Sequence, residues 1–107
     1  MRLLRHYISR NDKFITMTTE ELYQIILNRK QNPKEGSYVS SLFKLGMDRI
    51  SQKVGEEAVE VVVASAQETK QRVIEETADL WFHTLVLLAQ LNIEPKEIFE
   101  ELEKRHK

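Results

Sequence analysis

An all-α fold, a helical bundle built on a long antiparallel helix pair, is predicted by three features of this 107-residue sequence. Apolar residues recur at helical spacing along most of residues 18–107. Only three Gly and two Pro interrupt them. The one β-branched run, Val61-Val62-Val63, has no second strand to pair with.

The elements follow in order. Thr18-x-x-Glu21 has the spacing of a capping box, and Leu22, Ile25 and Ile26 then recur at i, i+3 and i+4. This first helix should stop before Pro33, because a proline pushes the preceding residue out of the helical region. Residues 32–37 read as a loop, and residues 38–45 as a short helix or turn broken at Gly46. Met47, Ile50, Val54, Ala58, Val61, Val62 and Ser65 mark a long helix over residues 47–66. A second, over residues 69–91, is expected to bury Val73, Ile74, Ala78, Leu80, Trp81, Leu85 and Leu88. Pro95 suits the first turn of a last helix, whose apolar side is Ile98, Phe99 and Leu102.

Composition removes several classes. Without Cys there is no disulfide framework, thiolate metal site or Cys nucleophile. The longest apolar run, residues 85–89, is far too short to span a membrane. The formal charge of −1 gives no global field for nucleic acid or membrane, and the few aromatics offer no stacking platform. A cytoplasmic domain with neither partner is the expectation. The charge is unevenly spread, however. Arg2, Arg5, Arg10 and Lys13 stand against Asp12 alone, so residues 1–17 read as a basic extension before a domain at 18–107.

The chemistry is concentrated in Lys53-Val54-Gly55-Glu56-Glu57-Ala58-Val59-Glu60 and Glu75-Glu76-Thr77-Ala78-Asp79. On a helix, residues three and four apart share a face, so Lys53, Glu57 and Glu60 form one stripe. Arg72, Glu76, Asp79 and His83 form another. A short connection makes the helices antiparallel, which sets Glu57 opposite Asp79, Glu60 opposite Glu76 and Lys53 opposite His83. Four converging carboxylates are costly without a cation, and hard divalent ions such as Mg²⁺ take oxygen ligands and bind phosphates. Two readings are open at this point: a Mg²⁺-dependent phosphate site, or solvated helix faces paired with Lys53, Lys70 and Arg72. Gly36-Ser37-Tyr38 offers N–H groups and hydroxyls to a phosphate or base, or is only a turn. His83 is a candidate substrate contact or a hydrogen-bonded helix histidine.

Gly36-Ser37-Tyr38, Leu42-Phe43-x-x-Gly46, Lys53-Val54-Gly55-Glu56-Glu57-Ala58-x-Glu60, Glu76-x-Ala78-Asp79-Leu80 and Leu102-x-x-Arg105-His106 together resemble the phosphoribosyl-ATP pyrophosphohydrolase family. That family lies within the all-α nucleoside triphosphate pyrophosphohydrolases, and the resemblance covers residues 19–107. It implies Mg²⁺-dependent hydrolysis of phosphoribosyl-ATP to phosphoribosyl-AMP and pyrophosphate, the second step of histidine biosynthesis. It assigns Glu57, Glu60, Glu76 and Asp79 to Mg²⁺ with Glu56 as a nearby helper, and an acid not fully committed to the metal, Glu56 or Glu57, is the candidate base for the attacking water. Lys53 and Lys44 would stabilise phosphate charge, and Ser37, Tyr38 and His83 would contact the substrate. It further implies a homodimer. With no Cys for the zinc-binding cyclohydrolase to which this activity is often fused, a stand-alone enzyme is expected. The alternatives are a house-cleaning nucleotide pyrophosphohydrolase with the same acids, or a non-catalytic helical dimerisation module.

Overall fold

A computed structural model describes residues 17–67 and 69–106. Among them are five helices and no strand: α1 (Thr19–Gln31), α2 (Tyr38–Leu45), α3 (Met47–Gln67), α4 (Lys70–Gln90) and α5 (Pro95–Arg105). The basic extension expected at residues 1–17 lies outside the described residues except for Met17.

Local chemistry sets each boundary. At the start of α1 the capping box forms: Glu21 N–H donates to Thr18 Oγ1 at 3.1 Å, and Thr18 N–H donates to Glu21 Oε1 at 2.9 Å. Between α2 and α3 the chain turns at Gly46 with φ +93°, a left-handed conformation that costs a glycine little. Thr69 caps α4 by accepting Arg72 N–H at 3.3 Å. At its other end Asn92 takes φ +59°, Asn92 N–H donates to the Ala89 carbonyl and Ile93 N–H to that of Leu88. That pair of bonds is a Schellman ending, with Asn in the place more often held by Gly. Pro95 then opens α5 where no backbone N–H is required.

The antiparallel α3–α4 hairpin is the most extensive helix pairing, and α1 and α2 close one side of it. The core lies between them: Leu22, Tyr23 and Ile26 from α1, Val39 and Leu42 from α2, Ile50 from α3, and Phe82, Leu85, Val86 and Ala89 from α4. Two polar ties cross it. Tyr23 Oη donates to the Ile93 carbonyl at 2.8 Å, and Lys30 Nζ to that of Ala89 at 2.8 Å.

One expectation fails. The buried stripe of α4 is Glu76, Asp79, Phe82, His83, Leu85, Val86 and Ala89, whereas Ile74, Ala78 and Trp81 are exposed. Residues 80–91 are apolar almost all round, so periodicity cannot choose which face turns inward. The acids decide it, because Glu76 and Asp79 face α3 and carry Phe82, His83 and Val86 in with them. Among the described residues nothing covers Trp81 on the opposite face, and it is 51% exposed. Ile98, Phe99 and Leu102 on α5 and Val59, Val62 and Val63 on α3 are exposed as well.

Candidate active site

Glu57 from α3 and Glu76 and Asp79 from α4 are buried side by side. Each offers a carboxylate oxygen, and the three oxygens lie within 4.8 Å of one another. The three-residue spacing puts Glu76 and Asp79 on one face of α4, and the hairpin delivers Glu57 against both. Glu60, the fourth acid expected here, is exposed and lies outside this group. It stands one turn beyond Glu57, at the rim of the helix pair.

Close carboxylates repel, and burial in a poorly polarisable interior strengthens the repulsion. Two cations offset part of it. Lys53, itself buried, places Nζ 3.2 Å from Glu57 Oε2 and 3.3 Å from Glu56 Oε1. Arg72 straddles Glu75 and Glu76, with Nη1 2.9 Å from Glu75 Oε1 and Nη2 hydrogen-bonded to Glu76 Oε2. Lys53 therefore screens the acids in this state. Arg49, unremarked in the sequence, reaches within 3.7 Å of Glu56 from two turns away on α3. Its seven-residue spacing from Glu56 is the signal that could have found it.

His83 ties the acids to the start of α2. Its Nδ1 sits 2.7 Å from the Asp79 carbonyl oxygen, which can only accept, so Nδ1 carries the proton. Nε2 is then an acceptor when the ring is neutral, and Tyr38 Oη donates to it at 2.8 Å. Burial enforces neutrality by lowering the His83 pKa to about 4, against the opposing field of Glu57. Burial likewise pushes the Tyr38 hydroxyl up to about 12. The two rings meet edge to face at 5.8 Å, and Phe82 also meets the imidazole edge to face, at 5.3 Å.

The remaining sequence candidates lie around this centre. Glu56 is exposed beside Lys53 and Arg49. Ser37 caps α2 by accepting Ser40 N–H at 3.2 Å, one residue before Tyr38. Ser37 and the exposed Lys44 line a separate cavity, whose lining includes none of the clustered acids. Glu57, Glu76, Asp79, Lys53, His83 and Tyr38 are thus brought together, while Glu56 and Glu60 stand at the rim and Ser37 and Lys44 beyond Tyr38.

Comparison with known proteins covers the stretch that holds these residues. A family profile described as phosphoribosyl-ATP pyrophosphohydrolase matches residues 19–106. The chain is 52% identical over 93 residues to a phosphoribosyl-ATP pyrophosphatase of Metallosphaera sedula, covering 87% of this chain and 100% of the relative. It is 51% identical over 86 residues to that of Geotalea daltonii, covering 80% and 81%. A histidine biosynthesis bifunctional protein of Caldanaerobacter subterraneus is 49% identical over 87 residues, covering 81% of this chain and 42% of that longer relative. With a buried acid cluster on an antiparallel helix pair and similarity of this extent, the chain belongs to the phosphoribosyl-ATP pyrophosphohydrolase family.

Proposed function

We propose that this chain hydrolyses phosphoribosyl-ATP to phosphoribosyl-AMP and pyrophosphate in the cytoplasm, at a Mg²⁺ site built on the α3–α4 hairpin. The observation that carries the reading is the convergence of Glu57, Glu76 and Asp79 in a chain whose relatives bear that name. The donor set fits a hard divalent ion. All three ligand atoms are carboxylate oxygens, and Lys53, Arg72 and Arg49 offset only three charges of a wider group of five acids that adds Glu56 and Glu75 to the cluster. Glu57, Glu76 and Asp79 would hold the ion, and Glu60 would turn in from the rim to complete the set. The ion, when bound, neutralises triphosphate charge and polarises the α-phosphoryl group.

The chain's own groups do the rest. Glu56, outside the acid cluster and open to solvent, takes the proton from the attacking water. Lys53, already aimed between Glu56 and Glu57, is positioned to transfer its charge to an incoming phosphate. His83 donates only to the Asp79 carbonyl, so it holds the helix turn and the Tyr38 hydroxyl in place. Tyr38, Ser37 and Lys44 contact the nucleotide.

The functional unit is proposed to be a homodimer. Trp81, Ile98, Phe99 and Leu102 line an apolar groove of about 350 Å³ between α4 and α5. Ile74 and the valines of α3 add further exposed apolar surface. A monomer of this size rarely leaves so much uncovered, and a second copy of the same faces closes it with two-fold symmetry. Pyrophosphate release from phosphoribosyl-ATP, assayed with Mg²⁺ and then with chelator, tests the activity. Saturable release that chelation abolishes supports the reading. Turnover of noncanonical nucleotides without action on phosphoribosyl-ATP would refute it.

A further inference from the structure

Between the end of α1, the loop that follows and α2 lies a cavity of about 820 Å³, lined by Arg29, Lys30, Lys34, Ser37, Phe43 and Lys44 among others. Four of those six are cations, and Glu35 is the one acid in the lining. Lys34 and Lys44 are exposed and have no ion-pair partner among the described residues. Arg29 Nε is buried without a hydrogen-bond partner among the described residues. A concave surface focuses such charge, so the cavity suits a dianion at one end of a small ligand.

Its frame is built rather than incidental. Ser40 Oγ donates to the Arg29 carbonyl at 3.2 Å and accepts from Lys34 N–H at 3.0 Å. Ser37 N–H donates to the Lys34 carbonyl at 3.0 Å, while Ser37 Oγ accepts from Ser40 N–H. These bonds cinch the loop between the end of α1 and the start of α2. The loop reverses at Gly36, whose φ of +85° strains any residue with a Cβ. Lys34 sits on this loop, while Arg29 and Lys44 come from the last turns of α1 and α2, so fixed backbone sets the spacing of all three. Phe43, half-buried against the core, adds an apolar wall for a sugar or base.

The relation to the acids supplies the chemistry. Ser37 lines the cavity, Tyr38 follows it, and Tyr38 Oη reaches His83, one turn from Asp79. Adjacent residues at the start of α2 therefore serve the two places, Ser37 in the cavity wall and Tyr38 in the bond to His83. Phosphoribosyl-ATP is charged at two ends, with a triphosphate on one ribose and a single phosphate on the other. We propose that the cavity binds the phosphate of the phosphoribosyl arm through Lys34, Lys44 and Arg29, and that this contact separates phosphoribosyl-ATP from plain ATP. This rests on the function proposed above and assigns the far end of its substrate.

The test compares binding of phosphoribosyl-AMP with that of AMP by calorimetry, in the wild type and in Lys34→Ala/Lys44→Ala, with circular dichroism to check the helices. Turnover of phosphoribosyl-ATP is measured alongside. The wild type should prefer phosphoribosyl-AMP by at least about tenfold, roughly the 1.4 kcal/mol of one charge-assisted phosphate contact. The double variant should bring that ratio toward one and raise KM for phosphoribosyl-ATP more than it lowers kcat. Lys34→Arg/Lys44→Arg should restore much of the preference. A wild type that turns over phosphoribosyl-ATP, with an alanine variant that keeps the full binding ratio, overturns the assignment of the cavity alone. A wild type without that turnover overturns the functional reading and this one with it.

Discussion

Tyr38 Oη donates a 2.8 Å hydrogen bond to His83 Nε2, joining the first residue of α2 to the helix that carries Glu76 and Asp79. The bond has one available polarity. Nδ1 is occupied as a donor to the Asp79 carbonyl, so Nε2 must accept.

Tyr38→Phe keeps the ring but strands a buried Nε2 without its donor. The cost should be about 1–3 kcal/mol of unfolding free energy, the usual penalty for an unsatisfied buried acceptor. Urea denaturation of variant and wild type measures it, and unchanged midpoints would show that water replaces the hydroxyl.

The same ring makes stability depend on pH. His83 titrates near 6.5 when unfolded and at about 4 when folded, because burial disfavours the imidazolium. Lys53 and Arg49 push in the same direction, while Glu57 opposes them. Between those values the unfolded chain binds more protons, so stability rises with pH across the window. The His83 contribution is complete above pH 6.5 and is lost as pH falls toward 4. Relative to His83→Gln, the wild type should lose stability over that range. Parallel stability curves would contradict the buried, neutral assignment.

Lys53 and Glu57 form a nearly dry pair, with side chains 11% and 6% exposed. Lys53→Met should destabilise the metal-free protein by up to about 3 kcal/mol, since a buried carboxylate loses its partner. Mg²⁺ should recover more of that loss in the variant than it adds to the wild type, because only the state with a formed site binds the ion. Thermal melts with and without Mg²⁺ read both effects. Equal Mg²⁺ shifts in both proteins would mean that Lys53 does not share the site's charge.

Trp81→Glu puts a charge on the groove between α4 and α5. The expected outcome is a dissociated chain with its helical content retained, seen by light scattering and circular dichroism. A variant that stays dimeric would move the interface elsewhere.

The helices and the acids were legible because both depend on spacing within a single element. Capping at Thr18, the break at Gly46 and the three-residue pairing of Glu76 with Asp79 need no knowledge of the rest of the fold. What could not be read depends on long-range packing. Trp81 and Ile74 look like core by periodicity, yet they lie on the face that Glu76 and Asp79 turn outward. Glu60 has the same spacing credentials as Asp79, and only the position of α3 in the hairpin leaves it at the rim. The basic cavity was hidden for a similar reason. Arg29, Lys34 and Lys44 are spread over two helices and a loop, and no local pattern joins them.

The most direct test of the acid centre is pyrophosphate release from phosphoribosyl-ATP by wild type and Asp79→Asn across a Mg²⁺ titration. Asparagine keeps the size of the side chain and removes its charge. Wild-type release should rise to saturation with Mg²⁺ and vanish on chelation, and the folded variant should fall by on the order of 10³-fold or more, as expected when charge stabilisation at the reacting phosphate is lost. An Asp79→Asn protein that keeps near-normal turnover, or a wild type that works without divalent metal, would contradict it.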